Sequence, residues 1–165
     1  MKNTVEFGGV DKEDLKILSC LRKNARETLT RISKVTGIPI SSAFDKLKRL
    51  EAIGVITKHT SLVDLKKIGF SVQVIFFLKT NDCNKKELGR RLMENPQVNN
   101  VARITGNWNF VMDALFRDVK ELESFVEALR KNYKGIEFSL HHVLETLKQE
   151  CFLIDQNNPE NGRIK

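Results

Sequence analysis

The side chains best equipped for chemistry lie in one short stretch, GIPISSAFDKLKRLEAIGVI, residues 37–56. At about 100° per residue, Ile40, Ala43, Phe44, Leu47 and Leu50 share one arc of a helix. Ser42, Asp45, Lys46 and Arg49 share the opposite arc, with Ser41 and Lys48 at its edge. These are groups suited to duplex DNA. Serine donates to or accepts from bases, Lys and Arg reach phosphates or guanine O6 and N7, and Asp45 would repel phosphate yet accept from cytosine N4. An ordinary solvated amphipathic helix carries a similar face, so the neighbours must decide. Arg22, Lys23, Arg26, Arg31 and Lys34 precede the stretch, and Lys58 and His59 follow it. The candidate DNA-contacting set is therefore Ser41, Ser42, Asp45, Lys46, Lys48, Arg49, Lys58 and His59.

Catalytic chemistry is poorly provided for. His141 and His142 are adjacent, so on a strand they point to opposite faces and cannot form one site within a chain. Cys20, Cys83 and Cys151 are far apart and odd in number, without a C-x-x-C pair. They read as incidental thiols in a reducing cytosol. No Cys–His pairing, Gly-rich phosphate loop or zinc-ligand spacing occurs. Neither a catalytic residue, a metal site nor a cofactor is expected.

The elements that must position the polar face come next. Asp11 caps a helix over Lys12–Lys23, with Asp14 in the capping-box position and Leu15, Ile17, Leu18 and Leu21 as its apolar stripe. Thr28 caps a short helix over Leu29–Thr36, whose Leu29, Ile32 and Val35 should face inward. Gly37 ends it as a left-handed C-cap. Ile38 is pushed toward extended geometry by Pro39, which suits the first turn of the next helix. That helix runs to Glu51, and Gly54 stops it. Val55–Leu62, rich in β-branched residues, reads as a strand or hairpin arm. Three short helices and a β segment, the last two helices joined through a Gly turn, spell a winged helix-turn-helix.

Beyond a connector at 62–71 the character changes. VQVIFFL from Val72 is a near-continuous apolar strand that needs cover on both faces. Lys85–Glu94 is a helix, Val98–Ile104 and Phe110–Phe116 form a hairpin around Gly106–Asn109, and Asp118 caps a helix with Glu121 as capping-box partner. Ile136–Leu147 is a fourth strand, followed by a fifth piece at Cys151–Ile154. The order βαββαβ is ferredoxin-like. The fold class is thus α+β. Its parts are a winged helix-turn-helix at 1–61 with a mobile N-terminus, a hinge at 62–71, an αβ domain at 72–154 and a mobile tail at 155–165.

The charge divides along the same line. The chain of 165 residues carries a net +7, and 41% of it is apolar, enough for a real core. Residues 1–69 hold 14 Lys and Arg against 8 Asp and Glu, a net +6, whereas 70–165 hold 14 against 13. A basic unit beside a near-neutral one suggests a polyanion-binding part and a part with another task. The opening MKNTVEFGGV lacks the apolar run of a signal peptide, and no segment is apolar for long enough to span a bilayer. A cytoplasmic protein without membrane contact is expected.

The phrases VDKEDLKILSCLRKNAR, ISKVTGIPISSAFDKLKRLEAIGVI, VARITGNWNFVM and HHVLETLK together resemble the Lrp/AsnC, or feast/famine, family of transcriptional regulators, over about residues 10–154. The resemblance implies a winged helix-turn-helix hinged to an αβ effector and assembly domain. It implies homodimers built through the sheets of that second domain, often assembled further into tetramers or octamers. It also implies an amino-acid-like effector bound near a Gly-x-aromatic-Asp turn, here Gly106, Asn107, Trp108 and Asn109. The final Asp of that pattern is replaced by Asn109, and a neutral amide pairs less well with a ligand ammonium. The last strand, Phe138–His142, is more apolar than the family's hydroxyl-bearing one, which leaves open another small molecule or none. The expected function is sequence-specific transcriptional regulation. An architectural protein that coats the chromosome is the alternative, and a decarboxylase of siroheme, which shares this architecture, is a third reading.

Overall fold

The computed structural model describes residues 9–80 and 85–154. Two compact units emerge, one taking the chain up to Leu62 and again from Leu147, the other Val63–Thr146. Cys83 and the tail at 155–165 lie outside the described residues.

The first unit is built on α1 (Lys12–Lys23), α2 (Leu29–Thr36) and α3 (Ile40–Ala52). The capping box at its start is complete. Asp11 Oδ1 accepts the Asp14 N–H and Asp14 Oδ2 accepts the Asp11 N–H, each at 2.8 Å. Thr28 caps α2 by accepting the Arg31 N–H at 3.2 Å. Gly37 ends α2 at φ 74°, the left-handed conformation that a Cβ penalises. Ile38, extended before Pro39, drops into the core with Ile17, Ile32 and Ala43. Val35, expected inside, is exposed instead.

No strand forms over residues 55–62, where the composition points to a strand or hairpin arm. The Val55 and Ile56 N–H groups both donate to the Leu50 carbonyl, folding the chain back onto the end of α3 rather than into a ladder. β-branched content favours a strand only where a partner strand is available. Residues 151–154 likewise make a turn, not a fifth strand. They sit against α1: Ser19 Oγ donates to the Ile154 carbonyl at 2.8 Å, and Arg22 holds Glu150 and the Phe152 carbonyl. The stretch from Leu147, expected with the second domain, therefore packs with the first.

The second unit runs β1 (Val72–Lys79), α4 (Lys85–Glu94), β2 (Val98–Arg103), β3 (Phe110–Phe116), α5 (Val119–Asn132), β4 (Glu137–His142). The four strands form one antiparallel sheet in the order β2-β3-β1-β4. The βαββαβ order holds, with β4 shorter than the sequence suggested. Leu88 and Leu92 of α4, and Leu122, Phe125 and Leu129 of α5, join Val74, Phe76, Leu78, Phe110, Met112, Ala114 and Phe116 in one core. Both helices thus cover the same face. Along β1 burial alternates, so the opposite face, expected to be covered, is only half-buried within the chain. At the start of α5, Asp118 caps as expected, while Glu121 reaches one residue further back and accepts the Arg117 N–H at 2.7 Å.

Candidate nucleic-acid interface

α2 and α3, joined through Gly37 and Pro39, are the two helices of a helix-turn-helix. α3 turns its Ala43 and Leu50 fully inward, and Leu47 is half-buried. Relative to the expected wheel the helix is rotated toward Lys46. Ile40 and Phe44, assigned to the core, are instead exposed. Ser41, Asp45 and Lys48 lie on the outer surface as expected, and Ser42 is half-buried.

Ion pairs to α1 accompany the rotation. Three acids, Asp11, Glu13 and Asp14, sit at the start of α1. Lys46 Nζ lies 2.6 Å from Asp11, 3.3 Å from Glu13 and 3.5 Å from Asp14, and only 19% of its side chain is exposed. Arg49 pairs with Asp14 through Nη2, and its Nη1 donates to the Gly9 carbonyl at 2.7 Å. Asp14 is fully buried, so leaving it unpaired would carry a heavy desolvation cost. Burial alone would raise the Asp11 carboxyl, but Lys46 and the Asp14 N–H outweigh it and hold it below its ordinary value. Burial likewise works to lower Lys46, and its carboxylate partners overcome it and raise it. Lys46 and Arg49, placed on the DNA face by periodicity, thus spend their charge on α1.

In the last turn of α3, Glu51 accepts from Lys48 at 3.2 Å and lies 3.1 Å from His59 Nε2. These two partners, His59 first, hold the Glu51 carboxyl below its ordinary value. Lys58 is exposed. An open cleft of about 470 Å³ lies between α1 and residues 55–62, walled by Leu18, Leu21, Arg26, Lys58 and His59 among others. It draws together basic groups that the sequence left scattered. The missed residues are Ile40 and Phe44, whose apolar character pointed to the core.

In the second unit, Gly106 takes φ 101° in the β2–β3 turn. Trp108 stands 6.2 Å, ring centre to centre, from Phe77, and His141 meets Phe77 edge-on at 5.9 Å. Ser139 is 2.7 Å from His141. These groups share the sheet face that the helices leave open. Asn109 is occupied structurally: its Oδ1 accepts the Thr80 N–H, and its own N–H donates to the Leu78 carbonyl, both at 2.8 Å. Asn107 is exposed. Among the described residues no cluster of three potential metal ligands occurs. No helix there is long and apolar enough to cross a membrane.

Residues 73–151 match the family profile described as the Lrp/AsnC ligand binding domain, and residues 11–57 match that of a winged helix-turn-helix DNA-binding domain. The chain is 30% identical over 130 residues to the uncharacterized HTH-type transcriptional regulator PH0045 of Pyrococcus horikoshii, covering 77% of this chain and 84% of that one. It is 28% identical over 141 residues to the HTH-type transcriptional regulator FL11 of Pyrococcus furiosus, covering 86% and 91%. Among solved structures, the regulator NMB0573 of Neisseria meningitidis in complex with L-Met superposes with a TM-score of 0.78 at 22% identity, over 92% of this chain and 97% of that one.

Proposed function

This chain belongs to the Lrp/AsnC family of transcriptional regulators, and from that premise we propose that it binds defined duplex sites in the cytoplasm as a homodimer or larger even-numbered assembly. It is a DNA-binding regulator and not an enzyme. The observation that carries the proposal is α3, standing second in a helix-turn-helix inside residues 1–69, which carry a net +6, and presenting Ser41, Asp45 and Lys48 outward. Such a helix meets base edges in the major groove, while basic flanks meet the backbone. The exposed Lys58 and His59 are assigned that second task. Lys46 and Arg49 contribute by fixing the pose of α3 against α1.

The half-buried sheet face around Phe77 supports assembly through the second unit. The same face, with Trp108 of the Gly106–Asn109 turn beside Phe77, supports an amino-acid-like effector, as does the bound L-Met of the Neisseria relative. Trp108 is the chain's one tryptophan, so its emission reports directly on this turn. Titration with L-methionine should change it saturably, and a flat response across the amino acids would remove the effector reading.

Selection of binding sites from random duplex DNA, followed by footprinting, tests the whole proposal. A regulator protects defined, roughly palindromic sites about one helical turn apart. Uniform coverage without a selected motif would favour the architectural alternative.

A further inference from the structure

α3 carries two large apolar side chains that its packing leaves outside. Ile40 is 48% exposed and Phe44 46%. They are one turn apart, so they form a single ridge, which Lys48 continues toward the C-terminus of the helix. Ser41 and Asp45 lie beside it on the exposed surface. The inward contacts come from Ala43 and Leu50, about a quarter turn round the helix from the ridge. An exposed phenylalanine ring gains wherever a partner covers it. Position supplies the partner. The ridge occupies the first half of the helix, the part of a helix-turn-helix that meets base edges, in the basic part of the chain.

The base-edge chemistry narrows the target. In the major groove guanine is read by bidentate Arg or Lys, and thymine by apolar contact with its C5-methyl group. Arg49 and Lys46 are turned to the acids of α1. Lys48 and the partly exposed Arg49 are then the cations on the outer surface of α3, and each is paired with a carboxylate, Glu51 and Asp14. The surface is short of guanine readers and supplied with apolar bulk. We propose that Phe44, with Ile40 beside it, reads thymine methyl groups, so that the operator carries thymine beneath the first turns of α3. The proposal rests on the DNA-facing reading of this helix.

The test uses the full chain and the duplex it selects from random DNA. Each thymine is replaced in turn by deoxyuridine, which deletes the methyl and keeps the pairing hydrogen bonds. Kd should rise roughly fourfold at one or two thymines per half-site, the worth of one buried methyl-sized group. The F44A protein should bind thymine and uracil duplexes equally, and F44L should keep part of the difference. Indifference of the unaltered protein to uracil at every position overturns the proposal, although a selected site would still stand. Full uracil sensitivity in F44A overturns it too, by assigning the methyl contact elsewhere. Failure to select any site removes the DNA-facing reading of α3 and the inference with it.

Discussion

At the scale of single residues, Asp14 is the hinge of the DNA-binding unit. The capping box assigned it one task, a hydrogen bond to the Asp11 N–H, and that bond forms. Its second task, holding Arg49 and Lys46 of α3, far along the chain, was not legible. Periodicity sorts residues by face but cannot tell which polar group a neighbouring helix will attract. D14A should lower stability by roughly 2–3 kcal/mol, less than for a fully enclosed pair because 41% of the Arg49 side chain is exposed. Thermal melting checks it, and an unchanged Tm would contradict the role. The Asp11–Lys46 pair adds a pH dependence with a definite sign. Asp11 titrates below its ordinary 3.8 in the fold, so its contribution is full at neutral pH and is lost as acid protonates it, below about pH 4. Lys46 titrates above 10.5, so its share is present below that value and lost as alkali removes the proton. In K46M, melting temperatures across both limbs should fall less steeply than in the parent protein.

At the scale of elements, the sequence was most readable where the rules are local. The limits of α1, α2, α4 and β3 follow from caps, Gly stops and apolar runs, and the structure agrees with each. Rules that need a partner failed. Residues 55–62 have strand-forming residues and, among the described residues, no strand to pair with, and Ile40 and Phe44 obey the period of a core face yet stay about half exposed. Gly37 is a place where local reasoning makes a firm prediction. A Cβ there meets nothing within 4 Å, so G37A should suffer only the left-handed backbone strain, about 1–2 kcal/mol. Asn, which tolerates that conformation, should cost less. Equal melting temperatures for G37A and the parent would show that the α2–α3 turn does not depend on this geometry.

At the scale of the whole molecule, the division of charge anticipated the division of labour. The excess of positive charge lies in the helical unit, and the near-neutral unit carries a sheet with one face open. If assembly runs through that face, as proposed, Phe77 with Trp108 and His141 beside it is the group to test. F77E should therefore yield monomers by light scattering, because a buried unpaired carboxylate opposes association. An F77E protein of unaltered mass would move the interface elsewhere. The central claim is that the helical unit binds a defined duplex site. The most direct measurement is retardation of the selected duplex and of a scrambled one over a salt series. The account predicts a linear fall of log K with log salt for both, with the selected site tighter by about 10³-fold or more throughout. Equal affinity for the two duplexes, or no retardation of either at low salt, would contradict it.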